Sequence, residues 1–345
     1  MLACSGAKLN RNYGENMYTT VKYFIVIIFI IVLGVGSYIF WPMIYTPTPA
    51  DCECLVVNND TGKLAPLQID RKNVYGVALT YAGIISQSGS EYHPGKTPPI
   101  FRKLQQAITT GNMVKYPNQK ILLDQIEKIE AGLSKTLQDE FKILPVLMDY
   151  EVELGIVVLD DISRDQLADP AFSPKLGYFL ANDLQSIIFG VLGLGIELES
   201  KYFDAKGSFP GFLPISKFMW IPKSEKANST LCIDIKTTVN GELRQKENTK
   251  NRIYSNKEIL GFILRTYNKE KLTKGTAIIT GSPAGVANKI SRWKRRLGNL
   301  LKMNRLNKLS SIFTAVKQDN KFLQPGDVVV VEGALFGSIR TEIIR

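Results

Sequence analysis

A short segment in which acidic and apolar side chains alternate places the strongest constraint on how this chain folds. Residues 149–154 read DYEVEL. Side chains of a β-strand point alternately to its two faces, so Asp149, Glu151 and Glu153 are expected on one face. Such carboxylates repel one another unless a cation or water separates them, and hard oxygen ligands favour Mg²⁺, Mn²⁺ or Ca²⁺ over zinc. A strand edge in solvent is the alternative. Asp183 follows a later apolar run and offers another carboxylate.

The remaining periodicity indicates an α+β protein that is mostly β. Turn-bounded runs rich in β-branched residues predict strands at 74–79, 151–158, 231–239, 276–280 and 327–332. Asn240-Gly241 is typical of a hairpin turn. Helical spacing of apolar residues is found at 121–137, at 256–267 with Ser255 as N-cap, and at 289–316.

An uncharged apolar run near the N-terminus predicts a single transmembrane helix. Residues 23–41 contain no charged side chain and are long enough for the hydrocarbon core of a bilayer. A buried helix or a cleaved signal peptide is the alternative. We expect a basic tail at 1–22, an anchor at 23–45, a linker region at 46–72 and one domain at 73–345. The Lys/Arg bias places the N-terminus in the cytoplasm and the domain outside.

The four cysteines do not form a disulfide framework or a zinc motif. They are Cys4, Cys52, Cys54 and Cys232. In an oxidising compartment either Cys52 or Cys54 could form a disulfide, and unpaired linker thiols are the alternative.

The net charge of +11 is concentrated in one segment. Residues 287–321 hold six lysines and four arginines against one aspartate, and their apolar residues have largely helical spacing. This pattern suits the headgroup region of an anionic bilayer, and we expect the membrane-facing residues to include Arg292, Trp293, Arg295 and Arg296. A solvated helix packed on the domain is the alternative. Nucleic acid is not expected as a partner, because no recognition motif accompanies the charge.

Several motifs together resemble the fumarylacetoacetate hydrolase superfamily. They are VALTYAG at 77–83, PPIFRK at 98–103, DYEVEL at 149–154, GYFLAND at 177–183, FPGFLP at 209–214, VNGELRQ at 239–245, TGSPAGV at 280–286 and LQPGDVV at 323–329. The resemblance implies a mixed β-roll, usually a homodimer, with helical insertions near 118–143 and 287–321.

The resemblance also implies a metal-dependent activity. It assigns one divalent cation, with Mg²⁺ expected first and Mn²⁺ or Ca²⁺ as alternatives, to Glu151, Glu153 and Asp183. The substrate would be a 2-oxo or 1,3-dicarbonyl acid, converted by C–C hydrolysis, hydration or decarboxylation through a stabilised enolate. The substrate-binding residues carried over from the family are Tyr81, Lys103, Thr280 and Gly281.

The chain departs from the family pattern around the expected catalytic groups. Hydrolytic members carry His-x-x-Glu where this chain has Ile84 and Gln87. We therefore predict that His93, the only histidine, acts from a loop with Glu91 as partner, and an exposed loop histidine without a catalytic role is the alternative. The family lysine aligns with Gly207, or with Lys206 if the loop holds one more residue. The alternative function is an inactive or weakly active scaffold at the membrane that binds a partner or anionic lipid.

Overall fold

A computed structural model describes residues 11–40, 45–58, 60–224, 226–318 and 321–345. Its α-helices are α1 (Arg11–Phe40), α2 (Ala82–Gln87), α3 (Gln119–Ile129), α4 (Leu133–Glu140), α5 (Arg164–Ala168), α6 (Ile187–Gly193), α7 (Glu199–Lys206), α8 (Asn256–Thr266), α9 (Arg292–Leu300) and α10 (Arg305–Gln318).

The strands are short and are distributed along the domain. They are β1 (Glu53–Cys54), β2 (Gly62–Pro66), β3 (Val74–Val77), β4 (Ile100–Arg102), β5 (Ile108–Thr109), β6 (Met113–Lys115), β7 (Met148–Asp149), β8 (Val152–Val158), β9 (Ile162–Ser163), β10 (Leu176–Asn182), β11 (Gln185–Ser186), β12 (Leu213–Pro214), β13 (Phe218–Pro222), β14 (Ser229–Thr230), β15 (Asp234–Val239), β16 (Glu242–Asn248), β17 (Lys271–Leu272), β18 (Ala277–Ile279), β19 (Val328–Gly333) and β20 (Gly337–Ile344).

Two larger sheets form the centre of the molecule. The first has seven strands in the order β2-β13-β10-β8-β18-β3-β4, and the second has five in the order β16-β15-β19-β20-β6. Strands β8 and β10 are buried along their whole length. Gly155 on β8 lies directly under the ring of Phe179 on β10, where a side chain would clash. These two strands therefore form the rigid centre that carries the acidic residues.

The predicted elements are present with small changes at their ends. All five predicted strands occur, as β3, β8, β15, β18 and β19. Asn240 and Gly241 adopt positive φ values of 51° and 83°, as a hairpin turn between β15 and β16 requires. Ser255 caps α8 in a capping box with Glu258. The predicted α+β class with helical insertions is confirmed.

The two predicted insertions each contain two helices and pack against each other. The first breaks at Gly132, where φ is 84°, and the second breaks at Lys302, where φ is 47°. Arg305 of α10 donates two hydrogen bonds of 2.7 Å to the carboxylate of Glu130, which follows α3. The rings of Phe141 and Phe313 meet edge to face with centroids 5.1 Å apart. The insertions therefore form one layer.

Helix α1 contains most of the segment predicted as the membrane anchor. Its residues from Tyr23 to Leu33 are exposed by 44–67%. None of the helices that the structure describes is both long and apolar enough to cross a membrane. Residues 1–10 and 41–44 of the predicted tail and anchor lie outside the described part of the chain.

A disulfide ties the linker to the domain. Cys54 in β1 is bonded to Cys232, and β1 pairs in parallel with β14, two residues before Cys232. Cys52 is free, with its thiol 3.7 Å from the side-chain oxygen of Asn228. The sequence leaves Cys52 and Cys54 as candidates for a disulfide, and Cys54 is the one that forms it. Cys4 lies outside the described residues.

We expect Cys54→Ser to lower the free energy of unfolding by about 2–5 kcal/mol, because the bond links residues 178 positions apart and restricts the unfolded chain. Denaturant unfolding of the full chain measures this. Cys52→Ser is the matched control and should leave stability unchanged. A wild-type protein whose stability is insensitive to reductant would contradict the pairing.

Candidate metal centre

The register between two neighbouring strands brings three carboxylates together. In the β8–β10 ladder Ala181 lies opposite Glu153, and the backbone N–H of Asp183 donates to the carbonyl of Glu151 at 2.7 Å. Glu151, Glu153 and Asp183 therefore point to the same face. One carboxylate oxygen from each lies within 4.8 Å of the others. The alternation predicted from the sequence is the physical cause of this cluster.

Burial makes the cluster electrostatically costly. Glu153 and Asp183 are fully buried, and Glu151 is partly exposed. Burial raises the pKa of both glutamates, and the charge of the neighbouring carboxylates raises these pKa values further. Opposing this, Lys206 lowers the pKa of Glu151, and the Gly281 backbone N–H, which donates to Glu153 at 2.6 Å, lowers that of Glu153.

Polar contacts orient each carboxylate and leave one oxygen unused. The ammonium of Lys103 pairs with Asp183 and donates to the carbonyl of Gly207 at 3.1 Å. The side-chain amide of Gln185 donates to Glu151. The second oxygen of Asp183 has no hydrogen-bond partner among the described residues, although it is buried. Three carboxylates, one of them with a free buried oxygen, are the kind of oxygen ligands that a hard divalent cation prefers.

Asp149, which the alternation placed on the same face, lies at the end of β7 and is not part of the cluster. Its carboxylate accepts backbone N–H groups from Ala287 at 2.7 Å, Asn288 at 3.1 Å and Tyr150 at 2.9 Å. Burial raises the pKa of Asp149 to about 6, and these hydrogen bonds act in the opposite direction. Asp149 thus fixes the start of the second insertion next to the acidic cluster.

The structure distinguishes the two candidates for the family lysine. Gly207 packs against the ammonium of Lys103, and a side chain at position 207 would clash with it. The buried ammonium of Lys206 lies 4.9 Å from the ring centroid of Phe101 and 5.0 Å from that of Phe203. The charge of Lys206 also lowers the pKa of Glu151. Lys206 therefore lies beside the cluster, as Lys103 does.

The predicted substrate-binding residues lie at the same site. Lys103 and Gly281 contact the carboxylates directly, whereas the hydroxyl of Thr280 donates to the carbonyl of Leu154 at 2.8 Å. The phenol of Tyr81 is buried and has no hydrogen-bond partner within the described part of the chain. Burial raises the pKa of Tyr81, so its hydroxyl stays protonated and can donate.

Comparison with known proteins identifies the family. The profile described as fumarylacetoacetate (FAA) hydrolase C-terminal matches residues 73–344. The chain belongs to this family. A solved structure of an uncharacterised protein from Mycobacterium abscessus covers 82% of this chain and 81% of its own, with a TM-score of 0.50 and 18% identity. That likeness concerns the fold alone.

Two curated relatives of the FAA hydrolase chain illustrate the range of similarity. An uncharacterised protein of Methanocaldococcus jannaschii is 32% identical over 142 residues, which are 40% of this chain and 52% of the relative. The oxaloacetate tautomerase YisK of Bacillus subtilis is 25% identical over 223 residues, which are 64% of this chain and 62% of that protein. The match spans about half the length of the first curated relatives.

This FAA hydrolase family member lacks the water-activating pair at the expected positions. Ile84 is buried and apolar. Gln87 is used structurally, since its amide donates to the carbonyls of Val286 at 2.9 Å and Asn288 at 3.0 Å and accepts the Gly285 N–H at 2.7 Å. This tether was not anticipated from the sequence, because no local pattern links Gln87 to a segment so far along the chain.

His93 is exposed on a loop and lines a cavity of about 1000 Å³. Among the described residues, the three carboxylates are not part of that lining, but Phe203, whose ring contacts Lys206, is. Glu91, the predicted partner of His93, pairs with Arg296 at 2.6 Å. The described residues show no hydrogen bond or ion pair between Glu91 and His93. The predicted membrane-facing arginines 292, 295 and 296 point to this loop, and Trp293 is 42% exposed.

We expect Mg²⁺ or Mn²⁺ to stabilise the full chain by about 2–3 kcal/mol at a hundredfold excess of the ion over its Kd. Glu151→Gln should abolish this gain, because it removes the most exposed carboxylate of the cluster. The exposed Glu140→Gln is the matched control. Thermal unfolding with and without the ion measures the effect.

The same experiment has a pH dependence of known sign. Because the glutamate pKa values are raised, protons compete with the cation near neutral pH. Affinity should therefore rise from pH 6 to pH 8, by about tenfold per pH unit for each proton released. Equal affinity at both pH values would contradict this assignment of the ligands.

Proposed function

We propose that this protein is a metal-dependent enzyme that enolises a 2-oxo or 1,3-dicarbonyl acid, and that oxaloacetate is the first substrate to test. The observation that carries the proposal is the buried cluster of Glu151, Glu153 and Asp183 with a free oxygen on Asp183 and Lys206 beside it. The oxaloacetate tautomerase of Bacillus subtilis supports the substrate class through its name.

The residues of the site have separate tasks in this proposal. When bound to the three carboxylates, a divalent cation supplies Lewis-acid stabilisation of negative charge on a substrate oxygen. Lys103 holds Asp183 in position through their ion pair. Lys206 forms no ion pair among the described residues, so we assign its ammonium nitrogen to proton exchange with the carbon beside the carbonyl. The rings of Phe101 and Phe203 shield that nitrogen from water.

Enolisation is favoured over C–C hydrolysis by one local fact. Hydrolysis requires a group that activates water, and the two positions that carry this pair in hydrolytic members hold the buried Ile84 and the tethered Gln87. Tautomerisation and decarboxylation each pass through an enolate and need no activated water. The proposed reaction is therefore proton transfer at the carbon beside the carbonyl. Decarboxylation would be a separate outcome, in which the keto acid loses CO2 and the resulting enolate of the product takes up a proton.

We expect Lys206→Met to lower the rate of oxaloacetate enolisation by at least about 100-fold, which is the usual contribution of a positioned acid–base group. Its Mn²⁺ affinity should stay close to that of the wild type, because Lys206 is not a ligand. Ultraviolet absorbance follows the enol, and a coupled assay follows pyruvate. Glu140→Gln should react like the wild type. An inactive wild type with bound metal would favour the scaffold alternative.

We further propose that the outward face of α9 lies on an anionic membrane surface. Trp293, Leu300 and Leu301 are exposed by 42%, 44% and 63%, and Lys294 and Lys302 are exposed beside them. An amphipathic surface of this kind suits lipid headgroups. The predicted anchor at 23–45, the outward orientation of the domain and the homodimer stay predictions.

We expect the double variant Lys294→Ser/Lys302→Ser to bind vesicles containing phosphatidylglycerol about 30-fold more weakly than the wild type, since each of the two surface cations contributes about 1 kcal/mol. Vesicle co-sedimentation at low and physiological salt measures this. Lys175→Ser/Lys226→Ser removes two exposed lysines elsewhere and should leave binding unchanged. Equal loss in both variants would indicate a non-specific charge effect and contradict the proposed face.

A further inference from the structure

The loop at 88–97 is irregular and carries the only histidine of the chain. It follows α2 directly, and two of its glycines, Gly89 and Gly95, adopt positive φ values of 64° and 76°. Within the loop, the Ser88 hydroxyl donates to that of Ser90 at 2.9 Å and the Lys96 N–H to the carbonyl of His93 at 3.2 Å. The contacts from the neighbouring segments add to these.

The second insertion is hydrogen-bonded to the base of this loop. The backbone N–H of Ile290 donates to the carbonyl of Gln87 at 3.1 Å, and the Gln87 side chain bonds the backbone of 285–288. The start of the insertion is in turn bonded to Asp149 at the end of β7, two residues before Glu151 of the acidic cluster. The base of the loop is thus connected to the metal centre through hydrogen bonds.

Helix α9 grips the loop itself. The guanidinium of Arg295 donates to the carbonyl of Ser88 at 3.1 Å and to the hydroxyl of Ser90 at 2.9 Å. The guanidinium of Arg296 pairs with Glu91 at 2.6 Å. A side chain at Gly89 would lie 2.8 Å from the carbonyl oxygen of Ile290, so the close approach requires glycine.

The cavity of about 1000 Å³ lies where the loop, α9 and α7 meet. His93 and Lys96 line it from the loop, Arg295 and Arg296 from α9, and Phe203 from α7. The Phe203 ring contacts Lys206, so this cavity adjoins the nitrogen to which we assign proton exchange. The contacts that hold the loop therefore also define the shape of the cavity on this side.

We propose that α9 is a strap that holds the 88–97 loop, with Arg295 and Arg296 as positioning residues that place His93 at the cavity. The part of this inference that concerns substrate rests on the proposed function, whereas the part that concerns the loop does not. The second insertion thereby adds contacts from outside the loop to the hydrogen bonds within it.

Hydrogen exchange of the full chain tests the strap without any activity. Arg295→Met and the loop-side Ser90→Ala should each speed amide exchange within 88–97 by about tenfold, while exchange in β8 stays unchanged. Lys289→Met, which removes an exposed cation of the same insertion, is the matched control and should have no effect. Unchanged exchange in both Arg295→Met and Ser90→Ala would overturn the proposal, and Ser90→Ala keeps the test valid if Arg295→Met disturbs α9.

Kinetics with oxaloacetate test the positioning of His93. Arg295→Met and His93→Gln should each lower kcat/KM by about tenfold, and the double variant should lose no more than the larger single loss, because both changes remove the same placement. Arg295→Lys should recover most of the activity. Multiplicative losses in the double variant would overturn the positioning role. If the wild type has no activity, the proposed function fails, and the exchange result still decides whether the strap exists.

Discussion

Three carboxylates at the adjoining ends of two adjacent strands, two of them fully buried, are the constraint to which the surroundings of the site respond. Glu151, Glu153 and Asp183 are brought together by the antiparallel register, which the fully buried β8 and β10 cannot alter without turning every side chain to the other face. Buried like charges at this separation require counter-charge or protons. The neighbouring contacts provide part of that compensation, and the Asp183 oxygen that has no partner among the described residues fits the divalent cation that we propose.

The compensation explains several otherwise unrelated residues. Lys103 neutralises one carboxylate and its ammonium occupies the space beside Gly207, so a side chain at position 207 would have to move Lys103 from Asp183. The positive φ of 91° at Gly281 turns a backbone N–H towards Glu153. The same local solution thus leaves one ammonium as a structural partner of the metal site and a second one between two aromatic rings.

Part of the acidic cluster could be predicted from local alternation, which placed Glu151 and Glu153 on one face. Asp149, which the same alternation placed with them, instead accepts the N–H groups of Ala287 and Asn288, and Asp183 was joined to the cluster only by the family resemblance. The capping of α8 and the turn at Asn240 followed from equally local rules. The roles of Gln87, Asp149 and Arg295 could not be predicted, since each depends on a contact with a residue far along the chain. The choice of Cys54 over Cys52 likewise depends on the pairing of β1 with β14, which carries no local signal.

The net charge of a helix does not show which contacts its basic residues make, and α9 is an example. The basic residues of α9 are equivalent in a net-charge total, yet the helix divides them between two surfaces. One face of α9 holds Arg292, Arg295 and Arg296, which follow the i, i+3, i+4 spacing. That face meets the loop, where Glu91 forms ion pairs with Arg292 and Arg296 and the Ser88 carbonyl accepts a hydrogen bond from Arg295. Lysine remains on the opposite, exposed face next to Trp293. The planar guanidinium can bond two acceptors at once, whereas an ammonium on a flexible stem suits a fluid anionic surface. The arginine face of α9 therefore fits the protein loop that it contacts, and the lysine face fits the anionic surface that we propose for it.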